Sequence, residues 1–114
     1  MNRDFLEMIK TRRSTRSFKP DSIPEDLLDA VLEAGTYAPT GMNRQSPVII
    51  AVSDKKYREK LSKLNAAIMG VDKDPYYGAP TVVLVLADPS ANTYVEDGSC
   101  VLENLMLAAQ ACDL

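Results

Sequence analysis

Thr81-Val82-Val83-Leu84-Val85-Leu86-Ala87 is apolar throughout and rich in β-branched residues. It is too short for a buried helix and predicts a strand covered on both faces, the interior strand of a layered arrangement of helices and sheet. Asp88 and Pro89 stop it. Upstream, Val48-Ile49-Ile50-Ala51-Val52 is a second β-branched run of strand length. Between the two, Ser53 and Asp54 cap a helix whose apolar face is Tyr57, Leu61, Leu64 and Ile68, spaced i, i+4, i+7 and i+11. An irregular connection from Gly70 to Gly78 leads into the second strand.

Toward the N-terminus, Phe5, Met8, Ile9 and Arg12 sit at helical spacing and predict a first helix over Arg3 to Arg12, followed by the polar turn Arg13-Ser14-Thr15-Arg16-Ser17. Ser22-Ile23-Pro24-Glu25 has capping-box spacing ahead of the stripe Leu27, Leu28, Val31 and Leu32, and Gly35 to Pro39 end that second helix. Thr40 to Pro47 is a loop by composition. Toward the C-terminus, about Tyr94 to Leu114 predicts a final helix. Its polar residues Glu96, Ser99, Glu103, Gln110 and Asp113 fall within roughly 100° of one another on a helical wheel, so most of its surface calls for burial in a core or a subunit interface. The pattern ends at Ala111-Cys112-Asp113-Leu114 without Gly, Lys or Pro to close it, which reads as an interruption.

No repeat or linker divides the 114 residues, so one domain over 1–114 is expected. The net charge of −3 argues against binding a phosphate backbone, and nucleic acid is a poor partner. The charge is uneven, with six basic and two acidic residues in 1–20 against seven and fourteen in 21–114, which places any anion site near the N-terminus. The charged start lacks the apolar block of a signal peptide and no membrane span is present, so a cytoplasmic location is expected. Cys100 and Cys112 share one helical pattern roughly 18 Å apart, beyond the ~7 Å limit for a disulfide, and read as buried free thiols. With no His and no Cys cluster, zinc or non-haem iron sites and a catalytic histidine are excluded, leaving carboxylates, arginines or a borrowed cofactor.

Arg12-Arg13-Ser14-Thr15-Arg16 gathers guanidinium forks and hydroxyls suited to a phosphate monoester, although arginines late in a helix also stabilise its negative end. Ala38-Pro39-Thr40-Gly41-Met42-Asn43-Arg44-Gln45 combines small residues and amides that leave backbone N–H groups open to the polar edge of a planar ligand, or simply joins helix to strand. Asn65 reads more as a cap or solvated amide than as a ligand contact. The pairs Glu96/Asp97 and Asp72/Asp74 read as capping or solvated groups, and no nucleophile or general base stands out.

Taken in order, Arg-Arg-Ser-x-Arg after an N-terminal helix, Ile-Pro-Glu opening a second, and Ala-Pro-Thr-Gly-x-Asn-x-Gln before a Val/Ile strand resemble the nitroreductase-like FMN flavoprotein family. Gly78-Ala79-Pro80 and Asn104-Leu105-Met106-Leu107-Ala108-Ala109 continue the resemblance. It implies an α+β layered fold with helices around a central β-sheet, and an intertwined homodimer carrying FMN at the subunit interface. By that likeness Arg12 and Ser14 hold the FMN phosphate and ribityl chain with Arg13 assisting. Arg16 and Asn65 lie at the flavin's pyrimidine edge, where Arg16 stabilises the charge of reduced flavin. Pro39, Thr40, Gly41 and Asn43 form the loop laid against the ring by the partner subunit.

The implied activity is an FMN-dependent NAD(P)H oxidoreductase. NAD(P)H reduces the flavin, and a small-molecule acceptor such as a nitroaromatic or quinone then takes the electrons. Within the family's range lie reductive dehalogenation and flavin breakdown. Outside it, the chain would be a non-enzymatic flavin- or anion-binding module. Three features depart from the family pattern. Gln45-Ser46-Pro47 stands where Gln-Pro-Trp is common, and Ile68 replaces a basic residue three after Asn65. The resemblance also implies a further C-terminal part, with a Gly-rich turn and more strands, that these residues lack.

Overall fold

A computed structural model describes residues 1–114. The elements are α1 (Arg3–Thr11), α2 (Glu25–Thr36), β1 (Val48–Val52), α3 (Lys55–Met69), β2 (Val82–Leu86) and α4 (Tyr94–Ala111), with a 3-10 turn at Gly41–Asn43. They form two compact units, one of Met1–Arg13, Ile23–Ile50 and Val85–Leu114, the other of Ser14–Ser22 and Ala51–Leu84.

The architecture is α+β, as expected, with β1 and β2 paired in a two-stranded sheet. Ser53, just past β1, shares a 2.9 Å hydrogen bond with Thr81, just ahead of β2, so the strands run antiparallel. The cover expected on both faces of β2 is reached only at buried Val82 and is lost by exposed Leu86. One strand neighbour shields one edge only.

In the first unit, the Asn2 side chain accepts from the Phe5 N–H and opens α1, which ends at Thr11 with Arg12 as its C-cap. The capping box expected at Ser22 does not form. Pro24 is the N-cap of α2, without a side-chain cap bond, and its carbonyl accepts from Leu27 and Leu28. A proline forces the residue before it out of the helical region, so Ile23 stays extended and the helix starts after Pro24.

Gly35 lies inside the last turn of α2 rather than ending it. A Cβ there would meet Leu105 at 2.7 Å and Ile49 at 2.8 Å, so glycine lets α2 approach α4 closely. Val31, Gly35, Val101 and Leu105 are buried where these helices pack. Burying a side chain of the size of Leu105 contributes about 2 kcal/mol. Asn104 Nδ2 donates at 3.0 Å to the Ala34 carbonyl in α2's last turn, which also accepts from the Tyr37 N–H at 3.2 Å.

α4 is shorter than expected. Asp113 takes a φ of 57°, and the Leu114 N–H returns to the Ala109 carbonyl at 3.0 Å. Asp113 thus fills the left-handed position that a glycine commonly takes. Cys100 and Cys112 are free but only half-buried, because α4 is not covered all round. Val95, Leu102 and Met106 are exposed on it. No helix is long and apolar enough to cross a membrane.

In the second unit, Asp54 caps α3 through the Tyr57 N–H, as expected. The expected inward face of α3 is not the one observed. Tyr57, Leu64 and Ile68 are exposed, the last at 85%, while Arg58 and Ser62 are buried. The buried side is turned roughly 90° from the apolar stripe, because Arg58 and Ser62, one turn apart, both grip Asp74. Tyr57, Leu61 and Leu64 instead line an open groove of about 450 Å³ with Ala51, Val52 and Leu84.

Candidate functional site

The arginine segment leaves α1 in extended form. Arg12, with φ −56° and ψ 138°, caps the helix by donating its N–H to the Met8 carbonyl at 3.2 Å. Its Nε lies 3.9 Å from Glu103 Oε1 of α4, a distant and half-exposed pairing that leaves most of the guanidinium fork free. Arg13 Nη1 folds back onto the carbonyls of Lys10 and Arg12, both at 2.9 Å, and so also neutralises the negative end of α1.

In the second unit, Ser14 and Arg16 are exposed in a segment without regular structure. Arg16 makes no hydrogen bond or ion pair there. Asn65 sits half-buried in mid-α3, so it is not a cap, and it shares the buried side with Arg58 and Ser62.

The small-residue loop lies in the first unit. Thr40 Oγ1 accepts from the Gln45 N–H at 2.9 Å, and the Thr40 carbonyl accepts from the Asn43 N–H at 3.0 Å. Asn43 Oδ1 accepts from Gln45 Nε2 at 3.0 Å. Met42, Asn43 and Gln45 have φ values of 54°, 54° and 53°. Three non-glycine residues in the left-handed region store strain of order 1–3 kcal/mol each, and such strain persists only where surrounding contacts impose it. Pro39 is exposed and Ser46 Oγ is enclosed without a partner. Beside the loop, Gly35, Ala38, Thr40, Gln45, Pro47 and Val101 line a cleft of about 290 Å³.

A contact from outside the loop comes from Asp97, which is 3% exposed. Its Oδ1 accepts from the Gly41 N–H at 2.9 Å, and Thr93 Oγ1 donates to the same carboxylate, 3.0 and 3.1 Å from its two oxygens. Gly41 is required because a Cβ would run into Thr93 Oγ1. Asp97 is therefore not the solvated or capping group expected from sequence. The helical wheel carried the signal. Asp97 and Asn104 fall opposite the polar stripe of α4, beside Val101, where a polar side chain needs a specific partner.

Asp74 departs from expectation in the same way. Arg58 Nη2 at 2.5 Å and the Gly78 N–H at 2.8 Å meet Oδ2, while Ser62 Oγ at 2.8 Å and the Tyr76 N–H at 3.1 Å meet Oδ1. The Arg58 guanidinium holds the Asp74 carboxyl well below the usual carboxylate range, helped by the N–H groups of Gly78 and Tyr76 and the Ser62 hydroxyl, against partial burial. Arg58 is shifted up in turn, chiefly by its bond to Asp74. Its Nε donates to the Ala79 carbonyl at 2.8 Å, and its guanidinium carbon lies 5.5 Å from the Tyr76 ring centroid. This clasp fixes the approach to β2.

Chemically, the chain offers guanidiniums of the kind that suit an anion and a loop tied to α4 by the Gly41 N–H, with no activated nucleophile. Residues 9–114 match the family model described as the nitroreductase family. Two archaeal relatives carry the provisional name NADH dehydrogenase/NAD(P)H nitroreductase. That of Methanothermobacter thermautotrophicus is 32% identical over 97% of this chain and 58% of its own length. That of Archaeoglobus fulgidus is 34% identical over 92% and 60%. A nitroreductase of Bacteroides fragilis NCTC 9343, solved with bound FMN, superimposes with a TM-score of 0.87 at 35% identity, covering 96% of this chain and 65% of that one. The chain thus spans about three fifths of the length of these relatives.

Proposed function

The chain belongs to the nitroreductase family, and from that premise we propose that it serves an FMN-dependent NAD(P)H oxidoreductase, with residues 1–114 as one nitroreductase-like domain of a homodimer. The observation that supports this most directly is the Thr40–Gln45 loop, which holds three residues at positive φ, is tied to α4 through Gly41 and Asp97, and leaves its small residues open. The residues present fit FMN. The unspent guanidinium of Arg12 and the exposed Ser14 suit the phosphate and ribityl chain, with Arg13 close behind at the end of α1. Arg16, unpaired in its unit, and Asn65 suit the pyrimidine edge. Pro39, Thr40, Gly41 and Asn43 would cover the ring from the second copy.

When bound, FMN supplies a two-electron carrier between NAD(P)H and an acceptor such as a nitroaromatic or quinone. Arg16 contributes a permanent positive charge that favours the reduced form, an effect enlarged where water is thinned out. Arg12 and Arg13 hold the anionic tail and orient the group. The Thr40–Gln45 loop keeps water from the ring, and no protein nucleophile is needed.

The test is reconstitution of the 114-residue chain with FMN, followed by anaerobic addition of NADH or NADPH. A yellow protein that the nucleotide bleaches is expected, with recovery of colour on adding a quinone or nitroaromatic. A protein that stays colourless after reconstitution rejects the reading. A yellow protein that neither nucleotide bleaches is a flavin-binding module, and dehalogenated product from a halophenol places the acceptor elsewhere in the family's range.

A further inference from the structure

Asp97 is a buried carboxylate to which the proposed flavin contacts assign no ligand role. It reaches from the start of α4 to one backbone N–H, that of Gly41, at the head of a loop with three strained residues. The bonds from Thr40 and Asn43 to Gln45 tie the loop to itself, whereas Asp97 ties it to a helix. Thr93 Oγ1 donates to the same carboxylate, within reach of both its oxygens. Gly41 has no Cβ to obstruct this approach.

We infer that Asp97 is a positioning residue of the flavin site, acting through the Gly41 N–H to hold the Thr40–Gln45 loop in the shape that meets the flavin. The inference rests on the FMN reading above. Preorganisation carries the effect: a loop already locked in its bound conformation loses no further entropy when ligand arrives.

The experiment compares the FMN dissociation constant and the amide hydrogen exchange of Gly41 in the parent chain and its variants. Asp97→Ala leaves the Gly41 N–H without its acceptor, and about tenfold weaker FMN binding is expected, the size of one charge-assisted bond lost from a preorganised loop. Gly41 exchange should quicken in the same variant without FMN. Asp97→Asn keeps an oxygen for Gly41 and an amide for Thr93, and should restore binding to within about threefold of the parent.

Val31→Ala loosens the α2 core away from the loop and serves as the control, with FMN affinity expected to stay at the parent value. Should Asp97→Ala not fold, Thr93→Val removes the anchoring hydroxyl at similar volume and should move both readouts by about threefold. Unchanged FMN affinity in the variant read, or a loss matched by Val31→Ala, overturns the inference alone. A parent that binds no FMN overturns the underlying reading, and with it the flavin role of Asp97.

Discussion

Replacing Asp74 by Asn leaves the shape of the side chain and removes its ability to face donors on both sides. Oδ2 meets Arg58 Nη2 and the Gly78 N–H, and Oδ1 meets the Ser62 hydroxyl and the Tyr76 N–H. Whichever way the amide turns, its NH₂ confronts a fixed donor: Arg58 and Gly78 in one orientation, Tyr76 in the other. Arg58 is 5% exposed and loses its buried counter-charge, although Glu59, 3.5 Å away, remains at the surface. Breaking a fully buried pair costs about 3–5 kcal/mol, and the Asp74 side chain, 30% exposed, recovers part of that from water. A loss of about 2–3 kcal/mol is expected at pH 7, measured by urea unfolding with circular dichroism. The pH dependence supplies the sign. The folded-state pKa of Asp74 is lowered, so its contribution is fully present above the unfolded value of about 3.9 and is lost as pH falls from there toward the folded value. The gap between parent and variant should therefore be constant from about pH 5 upward and shrink below about pH 4. A loss under about 0.5 kcal/mol at pH 7, or a gap that widens with acid, would refute the clasp as described.

Three further outcomes follow from the geometry. Gly35→Ala places a methyl group within 2.8 Å of the Leu105 and Ile49 side-chain ends, and the overpacking of about 1–3 kcal/mol is offset by about 1 kcal/mol of better helix preference, so urea unfolding should show a net loss of about 0–2 kcal/mol and no gain. A gain of the full helix preference, about 1 kcal/mol, would mean that α2 and α4 are farther apart than described. Arg12→Ala should weaken FMN binding by about 1–3 kcal/mol, with the parent's affinity falling as salt rises, and an unchanged dissociation constant removes Arg12 from the phosphate role. Leu102→Lys puts a charge on the 44% exposed apolar face of α4, and under the homodimer proposal sedimentation should shift from dimer toward monomer. An unaltered dimer would place the subunit contact elsewhere.

What the sequence made legible follows the strength of each local signal. β1 and β2 were readable because runs of Val, Ile and Leu bounded by Ser-Asp and Asp-Pro fit little else. Asp54 was readable as a cap because its partner is three residues away. The start of α2 was misread because two local rules compete: Ser22 and Glu25 have the spacing of a capping box, but Pro24 lies between them and restricts Ile23. α3 was misread for a different reason. An apolar stripe predicts which side is able to be buried, whereas the Arg58–Asp74 pair, 16 residues apart in sequence, determines which side is buried in this chain. The 15 residues of α3 do not contain both.

The same distinction governs the site. Arg12, Arg13, Thr40, Gly41 and Asn43 stood out as candidates because their residue types, grouped in two short stretches, are those the proposed ligand would ask for. The contact that ties Gly41 to α4 did not stand out, because Asp97 is 56 positions from Gly41 and its type alone is compatible with a solvated helix start. Its place on the wheel of α4 was the missing clue. A carboxylate opposite the polar stripe is either expensively buried or bonded, and the first option is excluded in a stable fold. Off-stripe polar residues in apolar helices therefore locate long-range contacts that motif spacing does not reach. In α4 this rule picks out Asp97 and Asn104, and both hold backbone groups of the first unit: the Gly41 N–H of the loop and the Ala34 carbonyl at the end of α2. One helix thereby sets both the loop and the helix that leads into it.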